Sequence, residues 1–120
     1  MASGAIKQTT NTSNFGSCKM PDGTLIQWGY LNSGDTPAHG SVNAQVAFPI
    51  GFAYNLDAAS SERSVSVFPM LVGYTAAPGA DNWRVICLSN SLTDATLRFL
   101  NNTDSVANAN AKWLAIGRWK

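Results

Sequence analysis

At residues 42–48 the sequence reads VNAQVAF, in which every second position from Val42 to Phe48 is apolar and the positions between them are Asn, Gln and Ala. An alternation of period two places the apolar side chains on one face of an extended chain and the others on the opposite face. The stretch therefore predicts a β-strand with one buried face and one solvated face, which is typical of an antiparallel sheet.

Five further segments have the composition of strands and are separated by polar stretches rich in Gly, Pro, Asn and Ser. They are Thr24–Leu31, Val65–Thr75, Arg84–Leu92, Ala95–Asn101 and Lys112–Trp119. No window of ten or more residues carries the apolar stripe of an amphipathic helix. The pattern predicts an all-β fold, an antiparallel β-sandwich.

Three of these segments are apolar on both faces. Val65–Thr75 and Arg84–Leu92 are expected to be buried between two layers. Lys112–Trp119 places Trp113 on one face and Ile116 on the other. We expect this last strand to lie in the middle of a sheet or to face another subunit, because an exposed one would promote aggregation.

The domain organisation follows from length and local composition. A chain of 120 residues suits one domain with one hydrophobic core. Residues 1–20 are rich in Ser, Thr, Asn, Gln and Gly without sustained periodicity, so we predict a linker there and a domain over residues 21–120. The sequence shows neither a signal peptide nor an apolar run of ~20 residues, so no export by such a signal and no membrane insertion are expected.

The charge composition limits the partners. Charged residues make up 12% of the chain, where about 25% is usual. The net charge is +1 and the basic residues are scattered, so we expect no nucleic-acid partner and no anionic membrane surface. A surface this poor in charge suits extracellular β-proteins and assemblies in which each chain meets a partner.

The sequence offers no recognisable catalytic or metal-binding set. His39, the only histidine, lies in a loop sequence where solvent exposure is the ordinary outcome, and the acidic residues fall at turns rather than in facing pairs. Cys18 and Cys87 have no metal-ligand spacing, and the sequence leaves open whether they are two thiols or a disulfide. We therefore expect no catalysis, no cofactor and no metal.

Trp83 and Arg84 form the most informative pair of side chains. They follow a loop that contains Pro and Gly, and they open a predicted strand. An aromatic ring can stack on the C–H face of a sugar while a guanidinium donates to its hydroxyls, so the pair suits a sugar site. The alternative is that Trp83 closes the end of the sandwich as a packing residue.

Three blocks of sequence resemble those of bacteriophage tail-fibre C-terminal domains. KMPDGTLIQWG at residues 19–29 resembles their Pro-Asn/Asp-Gly-x-x-x-Gln-Trp-Gly opening. VAFPIGF at residues 46–52 resembles a Val-x-Phe-Pro-x-x-Phe block, and WLAIG at residues 113–117 resembles a closing Trp-x-Ala-Ile-Gly strand. The blocks occur in the family's order and span residues 19–117.

That family is similar to the H-type lectins. The resemblance implies an H-type-lectin-like sandwich that assembles as a homotrimer and binds sugars near subunit boundaries. It also implies that residues 1–20 end a fibre shaft. It places ligand residues at Asp35, beside Gly34 in the first loop, and at Arg84.

The predicted site combines these residues with amides of a later loop. The family has an aromatic-His pair in that loop, whereas this chain reads Asn101-Asn102-Thr103. The predicted ligand-binding residues are Asp35, Trp83, Arg84, Asn101 and Asn102. We expect the loops Asn32–Gly40, Ala76–Asn82 and Asn101–Ala111 to converge near a subunit boundary, with Asn55–Ser64 as the next candidate.

These features together predict the tip of a tail fibre, located in the virion after assembly in the bacterial cytoplasm. Its expected partners are two further copies of itself and a host cell-surface glycan or outer-membrane protein, bound during adsorption. Two alternatives remain open at this point. One is a structural knob that trimerises the fibre without touching the receptor, and the other, less favoured, is a fragment of a polysaccharide depolymerase.

Overall fold

The computed structural model describes residues 8–11, 15–54, 60, 62–74 and 83–120. Its eight strands are β1 Gln8–Asn11, β2 Phe15–Lys19, β3 Thr24–Asn32, β4 Gly40–Ala47, β5 Ser66–Tyr74, β6 Trp83–Asn90, β7 Asp94–Asn101 and β8 Ala109–Arg118. A short 3-10 turn, Glu62–Ser64, precedes β5. In this described part of the chain no helix is long and apolar enough to cross a membrane.

The strands form two antiparallel sheets. The larger sheet has the order β1-β2-β3-β8-β5, and the smaller has the order β4-β7-β6. The predicted all-β antiparallel sandwich is confirmed, and β8 lies between β3 and β5, in the middle of its sheet as expected.

Two strands lie in the segment for which we predicted a linker. β2 pairs with β3 from the Phe15–Gly29 pair to the Lys19–Leu25 pair, and β1 pairs with β2. Their sequences lack the apolar alternation that identified the other strands, because polar residues and Gly occupy most of their positions. Pairing with an existing strand edge, rather than burial of apolar side chains, accounts for their extended conformation.

The core lies between the two sheets and is built from alternate positions. Along β7 the exposure alternates strictly, so that Ala95, Leu97 and Phe99 are buried between half-buried neighbours. The same alternation holds for β8, where Ala109, Ala111, Trp113 and Ala115 are buried. Small Ala side chains on β8 allow the two sheets to approach around the large rings of Phe99 and Trp113.

The three sequence blocks that resemble the tail-fibre family pack against one another. The Gln27 side-chain amide is buried, where it donates to the Ile50 carbonyl at 2.7 Å and accepts from the Ile50 N–H at 2.9 Å. Gln27 thus fixes the loop after β4 onto β3 with both halves of its amide satisfied. The loop's Phe48 and Phe52 meet edge to face, with ring centroids 5.1 Å apart.

Glycines allow the closest of these contacts. The Trp113 ring lies where a side chain on Gly29 would be, since a Cβ there would come within 2.5 Å of it. Phe52 occupies the equivalent space over Gly117, within 2.6 Å of a Cβ at that position. Each block therefore supplies either a ring or the glycine on which a ring rests.

The structure corrects the expectation that β5 and β6 are buried on both faces. Both are edge strands, and one face of each is exposed. Phe68 is 51% exposed and Met70 55% on β5, while Ile86 is 44% exposed on β6. Only one layer covers these strands within a single chain, so their second apolar face points outward.

The outward faces of the two sheets differ in polarity. We call the outward side of the larger sheet the apolar outer face; its apolar side chains include Ile26, Trp28, Tyr30, Phe68, Met70, Leu114 and Ile116, and the exposed Lys112 lies among them between Tyr30 and Met70. Trp28, Leu114 and Phe68 form one row across three neighbouring strands. The outward side of the smaller sheet is mainly polar, and its side chains include Ser41, Asn43, Gln45, Arg84, Thr96 and Arg98.

Cys18 lies on β2 in the larger sheet and Cys87 on β6 in the smaller one. The two residues are not joined by a disulfide. Of the two possibilities that the sequence left open, the structure therefore shows the one without a disulfide.

Candidate functional site

A cavity of about 320 Å³ opens at one end of the smaller sheet, where β4 and β6 begin and β7 ends. Its lining residues are His39, Gly40, Ser41, Arg84, Leu100, Asn101 and Asn102. We call it the Arg84 cavity. The three strands and the loop after β7 build it together, although they are far apart in the sequence.

Sheet register explains why these residues meet. Leu100 of β7 pairs with Ser41 of β4 on one side and with Arg84 of β6 on the other, so the three share one outward row. Arg84 is exposed, and no carboxylate in the described part of the chain lies within ion-pair distance of its guanidinium. The arrangement leaves a cation facing an open, polar space.

His39 lies at the rim of the cavity, just before β4. Its Nε2 lies 2.7 Å from Asp104 Oδ1 and its Nδ1 lies 3.0 Å from Asn102 Oδ1. The hydrogen bond to Asp104, then the one to Asn102, raises the pKa of His39 above its ordinary value, since both contacts favour the protonated ring. The side chain is 57% exposed, as expected for a loop histidine, but sequence reasoning did not place it at the site.

The structure corrects the role predicted for Asn101. This side chain is 1% exposed, and its amide makes four hydrogen bonds within the loop region. Nδ2 donates to the carbonyls of Thr36 and Ser105, while Oδ1 accepts from the N–H and the hydroxyl of Thr103. Asn101 therefore holds the two loops together and has no free amide group to offer a ligand.

Trp83 is also corrected. Its side chain is 3% exposed and belongs to the hydrophobic core, so the ring is not available as a stacking surface. The structure agrees with the alternative interpretation, in which Trp83 is a packing residue at the end of the sandwich. Its Nε1 is buried and finds no hydrogen-bond partner among the described residues.

The remaining predicted residues divide between the cavity and its surroundings. Arg84 and Asn102 line the cavity, as the predicted site requires. Asp35 is exposed in the β3–β4 loop and does not line it. The loop Ala76–Asn82 and most of Asn55–Ser64 lie outside the described residues. The β3–β4 loop bonds to the loop after β7 through Thr36, which pairs with Ala107.

The cavity can recognise a ligand by hydrogen bonds and charge. Arg84 presents several N–H donors in a fixed plane, Ser41 offers a hydroxyl and Asn102 an amide. The ring nitrogens of His39 already have partners, so this histidine is not poised beside a nucleophile. Within the described residues no three His, Cys, Asp or Glu side chains cluster as a metal site would require.

The fold and the cavity define a class of protein, a two-sheet antiparallel sandwich with a cavity at one end and an apolar outer face. A family profile described as "Putative tail fiber protein gp53-like, C-terminal" matches residues 19–118. The chain belongs to this family of tail-fibre C-terminal domains. No curated protein sequence matches it.

Solved structures of Pseudomonas aeruginosa pyocin fibres share the fold. The C-terminal part of the R1 pyocin fibre aligns with a TM-score of 0.68 and 24% identity, over 92% of this chain and 27% of that one. An N-truncated R1-type pyocin tail fibre gives 0.61 and 23%, over 92% of this chain and 84% of that one. The R2 pyocin fibre gives 0.54 and 24%, over 96% and 27%. The chain thus spans about a quarter of the first of these structures.

Proposed function

We propose that this chain is the receptor-binding tip of a tail fibre, which attaches a phage or a phage-like particle to its host. Membership in the tail-fibre family gives the fibre role, and the proposal adds what the tip does. It binds a surface polysaccharide or an outer-membrane protein during adsorption, and it performs no catalysis and needs no cofactor. The protein is assembled in the bacterial cytoplasm and acts as part of the particle.

The observation that carries this proposal is the guanidinium of Arg84 in the Arg84 cavity, which has no ion-pair partner among the described residues. Arg98 is an example of an arginine on the open surface of a sheet. Its Nε donates to Asn43 Oδ1 on the neighbouring strand at 3.0 Å. Arg84 instead faces a concave space with a hydroxyl and an amide beside it. Convergent polar groups in a loop-bordered cavity are the usual composition of a ligand site.

We further propose that three copies assemble through the apolar outer face. Tyr30, Phe68 and Met70 are each more than two-fifths exposed on it, and the half-buried Trp28 and Leu114 continue the surface. Large contiguous apolar patches on soluble proteins mark association sites, and the opposite outward face is polar. A cyclic trimer would cover this face on every chain and leave the Arg84 cavity on the other sheet accessible.

In the structural-knob alternative the chain also forms a trimer, but it does not contact the receptor. Nothing in the apolar outer face distinguishes the two readings, because both need it. The Arg84 cavity does distinguish them, since a knob gains nothing from an unpaired cation there. A depolymerase would need a facing carboxylate pair, and among the described residues the one carboxylate bonded at the rim of this cavity, that of Asp104, contacts His39 instead.

Binding of the 120-residue chain to host cells tests the proposal. Arg84→Ala is expected to abolish retention on cells. One hydrogen bond in water contributes only ~0.5–1.5 kcal/mol net, so each site alone binds weakly. Three sites in one trimer raise the apparent affinity by about 100-fold, and losing the strongest contact in each removes that gain.

Arg98→Ala is the matched control, because Arg98 has the same charge on the same outward face but does not line the cavity. It is expected to bind cells like the wild type. Equal retention of Arg84→Ala and the wild type would place the receptor surface elsewhere. A wild-type chain that binds no host cell at all would leave the structural knob as the better account.

A further inference from the structure

The Arg84 cavity has the charge and shape to select an acidic ligand. Resting on the proposed receptor-binding function, we propose that the group recognised there is an anionic substituent of a surface sugar, a carboxylate or a phosphate, rather than a neutral hydroxyl pattern. Three features of the cavity support this proposal: a cation without an ion-pair partner among the described residues, a histidine held between two oxygen acceptors, and a lining in which the described residues include no Phe, Tyr or Trp.

The first feature is the free charge of Arg84. The His39–Asp104 contact is the one ion pair found among the described residues, and it does not involve Arg84. A guanidinium presents parallel N–H groups that match the two oxygens of a carboxylate or a phosphate. A neutral sugar seated on Arg84 would remove water from the cation without compensating its charge, whereas an anion compensates it.

The second feature is the setting of His39. Both ring nitrogens face oxygen atoms, Asp104 Oδ1 and Asn102 Oδ1, and only the protonated ring can donate to both at once. Asp104 and Arg84 are the charged groups that the described elements bring to this ring and cavity; Ser41 and Asn102 are neutral. With His39 protonated the three ionised side chains leave one net positive charge, and with His39 neutral they leave none.

The third feature concerns the source of affinity. Sugar sites often gain much of their binding energy from an aromatic ring stacked on the sugar, but the described residues lining this cavity include no Phe, Tyr or Trp, and the imidazole of His39 is held by Asp104 and Asn102. Trp83, the nearest in sequence, is buried in the core. Charge complementarity with Arg84 therefore has to supply the main contribution, while Ser41 and Asn102 can satisfy hydroxyls next to the anionic group.

Pairs of probes that differ in charge test the inference. Oligogalacturonate and its methyl ester share the same sugar ring, and glucose 6-phosphate and glucose form the phosphate pair. Calorimetric or NMR titration of the 120-residue chain measures each affinity. We expect at least one acidic probe to bind about tenfold or more tightly than its neutral counterpart, and which pair responds identifies carboxylate or phosphate.

Variants and pH sharpen the test. Arg84→Gln should lose about tenfold in affinity for the acidic probe, while Arg98→Gln should lose none. The pKa of His39 is raised, so its positive charge is present in mildly acidic solution and is lost as the pH rises through that pKa. Affinity for the acid should therefore fall severalfold between about pH 6 and about pH 9, and it should stay flat in His39→Gln.

Each outcome bears on a different claim. Equal binding of acidic and neutral probes, or acid binding that Arg84→Gln leaves unchanged, overturns the inference. Host-cell binding that depends on Arg84, while neither acidic probe binds, overturns it too and leaves the receptor-binding proposal standing. Failure of the wild type to bind host cells contradicts the receptor-binding proposal itself. Thermal unfolding of Arg84→Gln, which changes an exposed side chain, verifies that the variant is folded.

Discussion

At the scale of single residues, strand alternation explains which of the predicted site residues are exposed and which are buried. Arg84 and Asn102 were predicted from local sequence and resemblance, and both line the cavity. Asn101 follows the phase of Leu97 and Phe99, which are buried, so the alternation of β7 points it inward. Applied as strictly to residues 95–101 as to residues 42–48, the same rule would have assigned Asn101 to the interior.

His39 and Ser41 illustrate what the sequence could not supply. They precede Arg84 by more than forty positions, and only the register of β4 with β7 and of β7 with β6 brings them to it. Register depends on the turns and on the packing of the core, which no local pattern of residues records. The sequence predicted the loop Asn32–Gly40 as a loop, but it could not predict which residues of other strands that loop would meet.

Gly29 gives the sharpest test of packing at this scale. A Cβ at Gly29 would lie 2.5 Å from the buried ring of Trp113, so the ring or the backbone would have to shift. Gly29→Ala is therefore expected to lower the free energy of unfolding by about 1–3 kcal/mol, as overpacked cores do. Urea denaturation measures it, and Gly51→Ala is the control, because a Cβ there would come no closer than 3.8 Å to its nearest neighbour, Thr93. Equal stability of the two variants would contradict this account.

At the scale of elements, the sequence identified the strands that bury an apolar face and missed those that do not. β3, β4, β7 and β8 carry alternation or apolar runs and were all predicted to within a few residues. β1 and β2 are held mainly by pairing, so their polar sequence resembled a linker. The apolar runs of β5 and β6 predicted strands correctly but overstated burial, because a run cannot tell a second layer from a second subunit.

The β7–β8 connection shows how one side chain can order an element without regular structure. Asn101→Ala would remove all four hydrogen bonds of this amide and leave the Thr103 N–H without its partner, whereas the Thr36 carbonyl would keep the Ala107 N–H and the Ser105 carbonyl would keep the Thr103 hydroxyl. We expect it to lower the free energy of unfolding by about 1–3 kcal/mol, the usual cost of unsatisfied buried groups. Asn102→Ala, one position further and exposed, should stay within about 0.5 kcal/mol of the wild type. Denaturant unfolding of both variants decides, and a destabilised Asn102→Ala beside an unchanged Asn101→Ala would reverse the assignment.

At the scale of the whole molecule, the two outward faces divide the work that we propose. One sheet turns an apolar surface outward and the other a polar surface that ends in the Arg84 cavity. The low charge content of the sequence, 12%, fits this division. A face that other subunits cover in a trimer needs few charged residues to keep the protein soluble. Assembly and recognition would then use separate surfaces, so each can be tested without disturbing the other.

Assembly is the prediction that this division makes most directly: the 120-residue chain should sediment as a trimer at micromolar concentration. Phe68→Asp should convert it to monomer, because covering a large apolar side chain contributes ~1.5–3 kcal/mol and the contact recurs in every copy. Phe68 is preferable to Trp119 as the test, since the Trp119 indole also donates to the Met20 carbonyl within the chain at 2.8 Å. Ile86→Asp is the matched control, exposed to a similar degree on the other sheet, and it should leave the trimer intact. A wild type that sediments as a monomer would rule out the trimer, and a trimer broken by Ile86→Asp but not by Phe68→Asp would move the interface to the smaller sheet.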